Sequence, residues 1–235
     1  MKGITLALLI IAPLVGEGYL CILMASPLFY AIGLAIGAGI DVSRKKTTTL
    51  GCATGIVFLL CLEGILPVHK RGETVSVSRV IPSSVTEVRQ ALAETPDIGM
   101  TLPLFLRLGF PRPIAASGSG LAEGAIRIIH FTGAEGDPPG DLTLRIAHVK
   151  EGEVLFVATG DSSKLAQWVL WQSSRVHWQA VDATHTRVTW DTTFERQLDP
   201  WWYFEPWERY AVRKSTEYLI TANATPAALR QKGLR

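Results

Sequence analysis

The sequence predicts an α+β domain, in which a curved antiparallel sheet surrounds a long C-terminal helix, preceded by two to three transmembrane helices. Three observations predict this: apolar residues dominate up to residue 66, apolar and polar residues alternate in several later segments, and an amphipathic helical pattern follows them. We therefore divide the chain into a transmembrane region, 1–68, a C-terminal domain, 73–223, and a basic flexible tail, 224–235.

Two of the early segments are long and apolar enough to cross a bilayer. Residues 19–40 contain no charged side chain, and residues 47–66 contain only Glu63, which lies near the end of its segment. The apolar segment 3–15 is shorter, and we interpret it either as a short or tilted first span or as a re-entrant segment. The sequence thus predicts two spans and leaves open whether segment 3–15 is a third.

Basic residues predict the orientation of these spans. Arg44, Lys45 and Lys46 form a compact loop between the two longer spans, and such loops stay in the cytoplasm. The second span then places the C-terminal domain outside the cytoplasm. The basic group at 69–71 argues against this orientation, because it falls on the supposed outer side.

Glycine pairs in both spans predict close helix packing. The pairs are Gly33 with Gly37, and Gly51 with Gly55, each four residues apart. They favour packing of the two spans as a hairpin, and self-association or contact with a partner membrane protein is the alternative.

Composition excludes several function classes. A net charge of +2 without a long basic run excludes nucleic acid as a partner. Cys21, Cys52 and Cys61 all precede the C-terminal domain, so that domain has no disulfide and no cysteine site. Its histidines lack the spacing of metal ligands, and no phosphate-binding loop or nucleophile elbow is present. We therefore predict no catalytic residue, no metal and no cofactor.

The first elements of the C-terminal domain have clear local signals. Residues 74–81 alternate apolar with polar side chains and predict a strand. Ser84 and Glu87 fit a capping box and predict a helix over 84–95. The region 97–120 is rich in proline and glycine, and it predicts a loop or a second short helix.

The remaining elements are a series of strands and a closing helix. Alternation and short apolar runs predict strands at 124–133, 141–149 and 154–159, a strand or helix at 164–172, and a hairpin of 175–181 with 186–196. Pro206 suits the first position of the closing helix. One face of that helix is predicted to carry Trp207, Ala211, Ser215, Tyr218 and Ala222.

Three stretches carry a resemblance to a known superfamily. They are VSVSRVIPSSVTEVRQALAE (75–94), GDLTLRIAHVKEGEVLFVATG (140–160) and HTRVTWDTTFERQLDPWWYFEPWERYAVRKSTEYLI (185–220). The domain resembles the START/Bet v 1-like superfamily, also called SRPBCC or polyketide cyclase-like, whose fold is the helix-grip fold. This resemblance implies a hydrophobic molecule held between the sheet and the C-terminal helix.

The whole chain also resembles a set of bacterial membrane proteins with such a domain behind transmembrane helices. Residues 17–18 and 21–28, and the stretch 199–204, carry this likeness. It implies a location in the bacterial inner membrane, with the bilayer as a partner.

We expect the chain to be a membrane-anchored binding protein for a lipid or another hydrophobic small molecule. The expected inward-facing ligand contacts are Leu144, Ile146, Phe156, Trp178, Trp190 and Phe194, with Tyr218 opposite. The same side chains would also fill a solid core. The alternatives are an accessory subunit of a membrane complex without catalysis and, by superfamily analogy, an enzyme of cyclase or aromatase type.

Two further groups of side chains are candidates for binding. Strict alternation points Arg79 inward, where it could anchor an acidic headgroup, unless the strand ends or bulges there. The aromatic residues Trp201, Trp202, Tyr203 and Trp207 suit a membrane interface. A cavity wall and ordinary packing of a loop are the other interpretations of that cluster.

Overall fold

The computed structural model describes residues 19–43, 70–107, 109–134 and 137–229. The chain divides into two compact units. One consists of residues 1–69 together with 199–204, and the other of residues 70–198 together with 205–235.

The described part of the first unit is mainly one helix, α1 (Tyr19–Ser43), which is 25 residues long and contains Pro27. It covers the predicted span 19–40, whereas the predicted segments 3–15 and 47–66 lie outside the described residues. Across the described ranges, no helix satisfies the length and mean hydropathy required of a membrane span.

The second unit is a seven-stranded antiparallel sheet with helices packed on it. Its strands follow the order β1-β7-β6-β5-β4-β3-β2. In chain order the elements are β1 (Gly72–Ile81), α2 (Val85–Ala93), a 3-10 helix (Leu104–Arg107), β2 (Pro113–Ser117), β3 (Ile126–Phe131), β4 (Gly140–Lys150), β5 (Glu153–Asp161), a 3-10 helix (Lys164–Gln167), β6 (Val169–Ala180), β7 (Thr186–Arg196), α3 (Trp201–Leu219) and a π-turn (Ile220–Ala224). The predicted antiparallel sheet with a long C-terminal helix, the helix-grip arrangement, is confirmed.

Local sequence explains the first two elements of this unit. Alternation buries Val75 and Ile81 of β1. Ser84 caps α2 through a capping box. Its hydroxyl accepts a hydrogen bond from the backbone N–H of Glu87, and the Glu87 carboxylate accepts one from the backbone N–H of Ser84.

Bulges bend the longest strands. The pairing register shifts twice between β4 and β5 and once between β6 and β7, near Trp171. A bulge adds a residue to one strand and increases its twist and bend. The bent strands give the sheet a concave face.

The helix α3 packs on the inner face of the sheet. Thr216 and Thr192, both fully buried, share a hydrogen bond of 2.9 Å between their hydroxyls. Val212 packs with Phe194 and Val75 in a small apolar cluster beside the main core. The main core includes the fully buried side chains of Ile146, Val154, Val176 and Val188.

The start of α3 corrects the prediction that Pro206 begins the helix. The helix begins at Trp201, since the carbonyl of Pro200 accepts the backbone N–H groups of Tyr203 and Phe204. Pro206 therefore lies inside the helix, and the cluster predicted as a loop forms the first turns instead.

In three other regions the structure has features that were not predicted, or were left open, from the sequence. The strand β2 was not predicted, because a short edge strand in a region rich in proline and glycine lacks alternation. The ambiguous segment 164–172 is a 3-10 turn followed by the start of β6. Of the predicted tail 224–235 the structure describes 224–229, where Ala224 is fully buried and Leu229 packs on the core.

Candidate functional site

An apolar cavity of about 120 Å³ lies between α3 and the sheet in the second unit. Its walls come from β3 to β7, from the segment 96–113, and from one face of α3 with the π-turn. Most of the lining side chains are aliphatic or aromatic, with few polar groups among them.

The size of this cavity separates it from ordinary packing defects. Protein interiors are close-packed and leave few voids larger than a water molecule. An apolar cavity of roughly 150 Å³ stays dry and binds benzene. The cavity therefore has room for an apolar group of about that size.

The predicted ligand contacts divide into two sets. Leu144, Phe156, Trp190 and Tyr218 line the cavity. Ile146, Trp178 and Phe194 are buried but do not line it.

Packing against neighbouring elements explains the second set. The helix α2 contacts β6 and the π-turn, and so covers the end of the sheet where Trp178 lies. Phe194 belongs to the separate cluster with Val75 and Val212. These side chains are buried against other elements and lie outside the lining of the cavity.

The structure corrects the prediction that Arg79 is buried. Its side chain is exposed, and its guanidinium donates a hydrogen bond of 2.8 Å to the hydroxyl of Thr221. The strand β1 is at the edge of the sheet, where a long side chain on the inner face extends to solvent. Arg79 does not line the cavity.

A different arginine lies in the cavity wall. Arg127 on β3 is only 3% exposed, and its guanidinium donates to the backbone carbonyls of Leu92, Glu94 and Gly120. Among the described residues its Nε has no acceptor. Burial lowers the pKa of Arg127 to about 10, so that the group stays charged at neutral pH.

Aromatic rings connect Arg127 to a second donor. The guanidinium lies 5.5 Å from the ring centre of Phe156, and that ring stacks on Trp190 with centroids 6.4 Å apart. The indole Nε1 of Trp190 is also buried without an acceptor in the described part of the chain. The three residues line one cavity, and two of them carry a donor without an acceptor.

The other titratable groups of the cavity have partners. Asp161 accepts hydrogen bonds from the backbone N–H and hydroxyl of Ser163, at 2.9 and 2.6 Å, while burial raises the pKa of Asp161. The hydroxyl of Tyr218 donates to the carbonyl of Ile98, and burial raises the pKa of Tyr218 to about 12. Tyr218 is therefore a neutral donor at any physiological pH.

An aromatic cluster extends from the cavity to the surface. Phe105 contacts Phe110, Trp207 and Tyr210, and Phe110 packs edge-on against Trp168 of the cavity wall. Trp207 and Tyr210 are exposed, as is Leu104, at 73%. Trp207, predicted at a membrane interface, thus lies in an exposed apolar patch.

The other three predicted interface residues belong to the first unit. Trp201, Trp202 and Tyr203 form the start of α3, and Trp202 is exposed. The hydroxyl of Tyr203 donates to the backbone carbonyl of Met24 in α1. Trp207 therefore lies in a different unit from the residues with which it was grouped.

Sequence reasoning missed Arg127, although a usable signal was present. Arg127, Ile129 and Phe131 alternate along β3 and share the inner face. The same alternation argument that selected Arg79 also selects Arg127. The described residues contain no group of three or more side chains suited to hold a metal ion.

Comparison with known proteins found similar structures but no family. No family model matches the chain, and no curated protein matches it. An aromatase/cyclase, Zhui, from Streptomyces sp. R1128 matches at 14% identity and a TM-score of 0.45, covering 70% of this chain and 96% of its own. A norcoclaurine synthase point mutant from Thalictrum flavum matches at 11% identity and 0.44, covering 72% and 99%.

A plant protein gives a third match. The major latex-like protein 151 from Panax ginseng matches at 12% identity and a TM-score of 0.36, covering 64% of this chain and 99% of its own. All three are below 25% identity and below a TM-score of 0.5. No ligand or reaction is transferred from them to this chain.

Proposed function

We propose that this protein binds a lipid or another hydrophobic small molecule in the cavity between α3 and the sheet. The observation that carries the proposal is the cavity itself, about 120 Å³ of apolar space between α3 and the sheet, whereas protein interiors are generally close-packed. An apolar ligand gains free energy by leaving water for such a space. No covalent chemistry is needed for this role.

The polar groups of the cavity support the same function. Binding sites for small molecules are mostly apolar, with a few polar groups that fix the ligand's orientation. Arg127, Trp190 and Tyr218 are such groups in an otherwise apolar wall.

We further propose that residues 1–68 anchor the protein in a bacterial inner membrane, with the binding domain outside the cytoplasm. The lengths of the apolar segments 19–40 and 47–66 and the basic loop 44–46 support this assignment. The aromatic residues near the start of α3 suit an interface with the bilayer. A membrane location would bring the cavity close to a supply of apolar molecules.

An accessory role in a membrane complex is the second candidate. The exposed patch of Leu104, Trp207 and Tyr210 favours it, since exposed apolar patches often mark interaction sites. The spacing of Gly33 and Gly37 in α1 would also permit close contact with another helix.

Native mass spectrometry of the full-length protein in detergent tests the proposed function. We expect an apolar molecule to be retained at one copy per chain. In the variant Ala211→Phe, a larger side chain enters the cavity from α3, and we expect the bound molecule to be lost. Ala183→Phe, the same change in an exposed turn, is the matched control and should retain it.

Two results would contradict the proposal. One is an empty wild-type protein that also stays empty after incubation with a total lipid extract. The other is equal retention by wild type and Ala211→Phe, which would assign the bound molecule to another surface. Co-purification of a stoichiometric partner protein with an empty domain would favour the accessory role.

A further inference from the structure

Arg127 is a buried charge with no counter-ion in the part of the chain that the structure describes. Its described partners are the backbone carbonyls of Leu92, Glu94 and Gly120, which are all neutral. Among the described residues, no carboxylate lies within ion-pair distance of it. Buried charges in proteins are normally paired with an opposite charge, because transfer of a lone charge from water is costly.

Two buried N–H groups on the same cavity wall also have no acceptor within the described ranges. They are the Nε of Arg127 and the Nε1 of Trp190. Roughly nine in ten buried polar groups have a hydrogen-bond partner, so that two unpaired donors in one site require an explanation. The ring of Phe156 is close to both residues: its centre lies 5.5 Å from the guanidinium and 6.4 Å from the centre of the indole ring.

We propose that the ligand of this cavity is a small apolar carboxylate, whose acidic group binds Arg127 while its ring or chain fills the apolar space. This inference rests on the proposed binding function and names the chemical class of the ligand. Arginine and tryptophan donate and do not accept, so the group that meets them must be an acceptor. A carboxylate supplies two oxygens and the missing negative charge, and it matches the planar guanidinium fork.

The register of the sheet fixes the orientation of this ligand. Arg127 on β3 pairs with Leu144, and Asp161 on β5 pairs with Leu142, so β4 lies between the two charged groups. Asp161 already accepts two hydrogen bonds from Ser163, and its acidic side chain offers no positive charge to a ligand carboxylate. The acidic group therefore points towards β3, and the apolar part extends towards β5 and β6.

A matched pair of probes tests the inference on the unmodified protein. The probes are 2-naphthoate and 2-naphthalenemethanol, which share the ring and differ in the acidic group. Equilibrium dialysis measures each against the full-length protein in lipid nanodiscs, and empty nanodiscs correct for partition into the bilayer. We expect 2-naphthoate to bind at least about tenfold more tightly, since hydrogen bonds to charged groups are the stronger ones.

Variants identify the residue responsible. Arg127→Met should lower the affinity for 2-naphthoate about tenfold or more and leave that for 2-naphthalenemethanol within about twofold. Binding of the alcohol shows that the cavity of this variant is intact. Trp190→Phe keeps a ring and removes the indole N–H, and it should weaken 2-naphthoate by roughly threefold.

The failures of the two proposals are distinguishable. If both probes bind wild type equally, or if the alcohol binds better, the inference of an acidic ligand is overturned and the proposed apolar binding stands. If 2-naphthoate is preferred but Arg127→Met keeps that preference, Arg127 is not the anchor and the inference is again overturned. Failure of both probes to bind, with an empty protein in native mass spectrometry, overturns both proposals.

Discussion

The domain buries two arginines, and their surroundings are opposite. Arg196, at the end of β7, is 2% exposed and its Nε lies 2.9 Å from a carboxylate oxygen of Glu73. The N–H is not aligned with that oxygen, so the contact is an ion pair rather than a hydrogen bond. Arg196 also donates to the carbonyl of Lys70 and lies 4.0 Å from Glu205. Arg127 is almost as deeply buried, yet all the hydrogen-bond acceptors that the described residues offer it are neutral carbonyls.

This difference separates a structural charge from a binding charge. The chain supplies the counter-ions of Arg196, which ties β1, β7 and the start of α3 together. The described chain supplies no counter-ion for Arg127, which lines the cavity. A buried charge without a counter-ion among the described residues can be balanced by an external anion, and this contrast makes Arg127 the candidate anchor.

The largest effect should come from breaking the compensated site. We expect Arg196→Met to lower the free energy of unfolding by about 3–5 kcal/mol, because the partly buried carboxylate of Glu73 would lose the buried arginine that balances its charge. Thermal unfolding of the full-length protein in one detergent, followed by circular dichroism, measures the change.

Arg209→Met is the control for this prediction. Arg209 contacts the same Glu73, at 3.5 Å, but is exposed, and we expect a loss below about 1 kcal/mol. Equal losses of unfolding free energy in the two variants would show that the burial of Arg196 does not increase the contribution of its ion pair to stability.

A smaller effect should follow from removing Arg127 in the absence of ligand. We expect Arg127→Met to lower the free energy of unfolding by about 1–2 kcal/mol, since three carbonyls lose a donor while an uncompensated charge is removed. Saturating 2-naphthoate, at roughly 100 times its dissociation constant for wild type, should stabilise wild type by about 2.7 kcal/mol. The same concentration should stabilise the variant, whose affinity is about tenfold lower, by only about 1.4 kcal/mol or less.

An exposed arginine of the sheet provides the control here. Arg145 lies on β4 with its side chain in solvent, and Arg145→Met should change stability by less than about 0.5 kcal/mol with or without the probe. If Arg127→Met destabilised the domain as much as Arg196→Met does, the interpretation of Arg127 as a binding charge and Arg196 as a structural charge would be wrong.

Periodicity predicted most of the fold correctly, and it failed where a local rule was overridden. Alternation identified β1, β4 and β7 because each buries one face. Proline is common at the first position of a helix, yet Pro206 lies inside α3, whose first turn is set by the carbonyl of Pro200. A local preference does not reveal that a helix has already begun upstream.

The candidate site was harder to predict because it depends on the order of strands. Arg79 and Arg127 both fall on inward positions by alternation, but β1 is an edge strand whereas β3 lies inside the sheet. Sequence does not give that order, so it cannot distinguish an arginine at the rim from one in the wall. Leu144 and Ile146 are likewise neighbours on one face of β4, and only Leu144 lines the cavity.

The Arg196 site contains a further carboxylate, and it provides the smallest test. Glu208 on α3 is 2% exposed, and its Oε1 accepts the backbone N–H groups of Gln197 and Leu198 at 3.1 and 3.2 Å. Burial, reinforced by the charge of Glu73, raises the pKa of Glu208 to about 7, although the two N–H groups and Arg196 act in the opposite direction. The site around Arg196 thus has more carboxylates than this arginine neutralises, whereas Arg127 has no carboxylate within ion-pair distance among the described residues.

The raised pKa of Glu208 determines the direction of the pH dependence. Between about pH 4.5, where Glu208 ionises in the unfolded chain, and about pH 7, the folded protein keeps a proton that the unfolded chain has lost. The contribution of Glu208 to stability therefore falls as the pH rises through this window, and it is constant above it. We therefore compare the free energy of unfolding of Glu208→Gln with that of wild type at about pH 4.5 and about pH 8. Between these two pH values this difference should shift in favour of the variant by on the order of 1 kcal/mol, after allowance for solvent screening. Urea titrations at the two pH values measure this shift. The control is Glu217→Gln, at a half-buried position of the same helix, for which the difference from wild type should shift by less than about 0.5 kcal/mol between the two pH values. A benefit that instead grew towards acid pH would mean that Glu208 is held ionised, and that the Arg196 site balances all of its carboxylates.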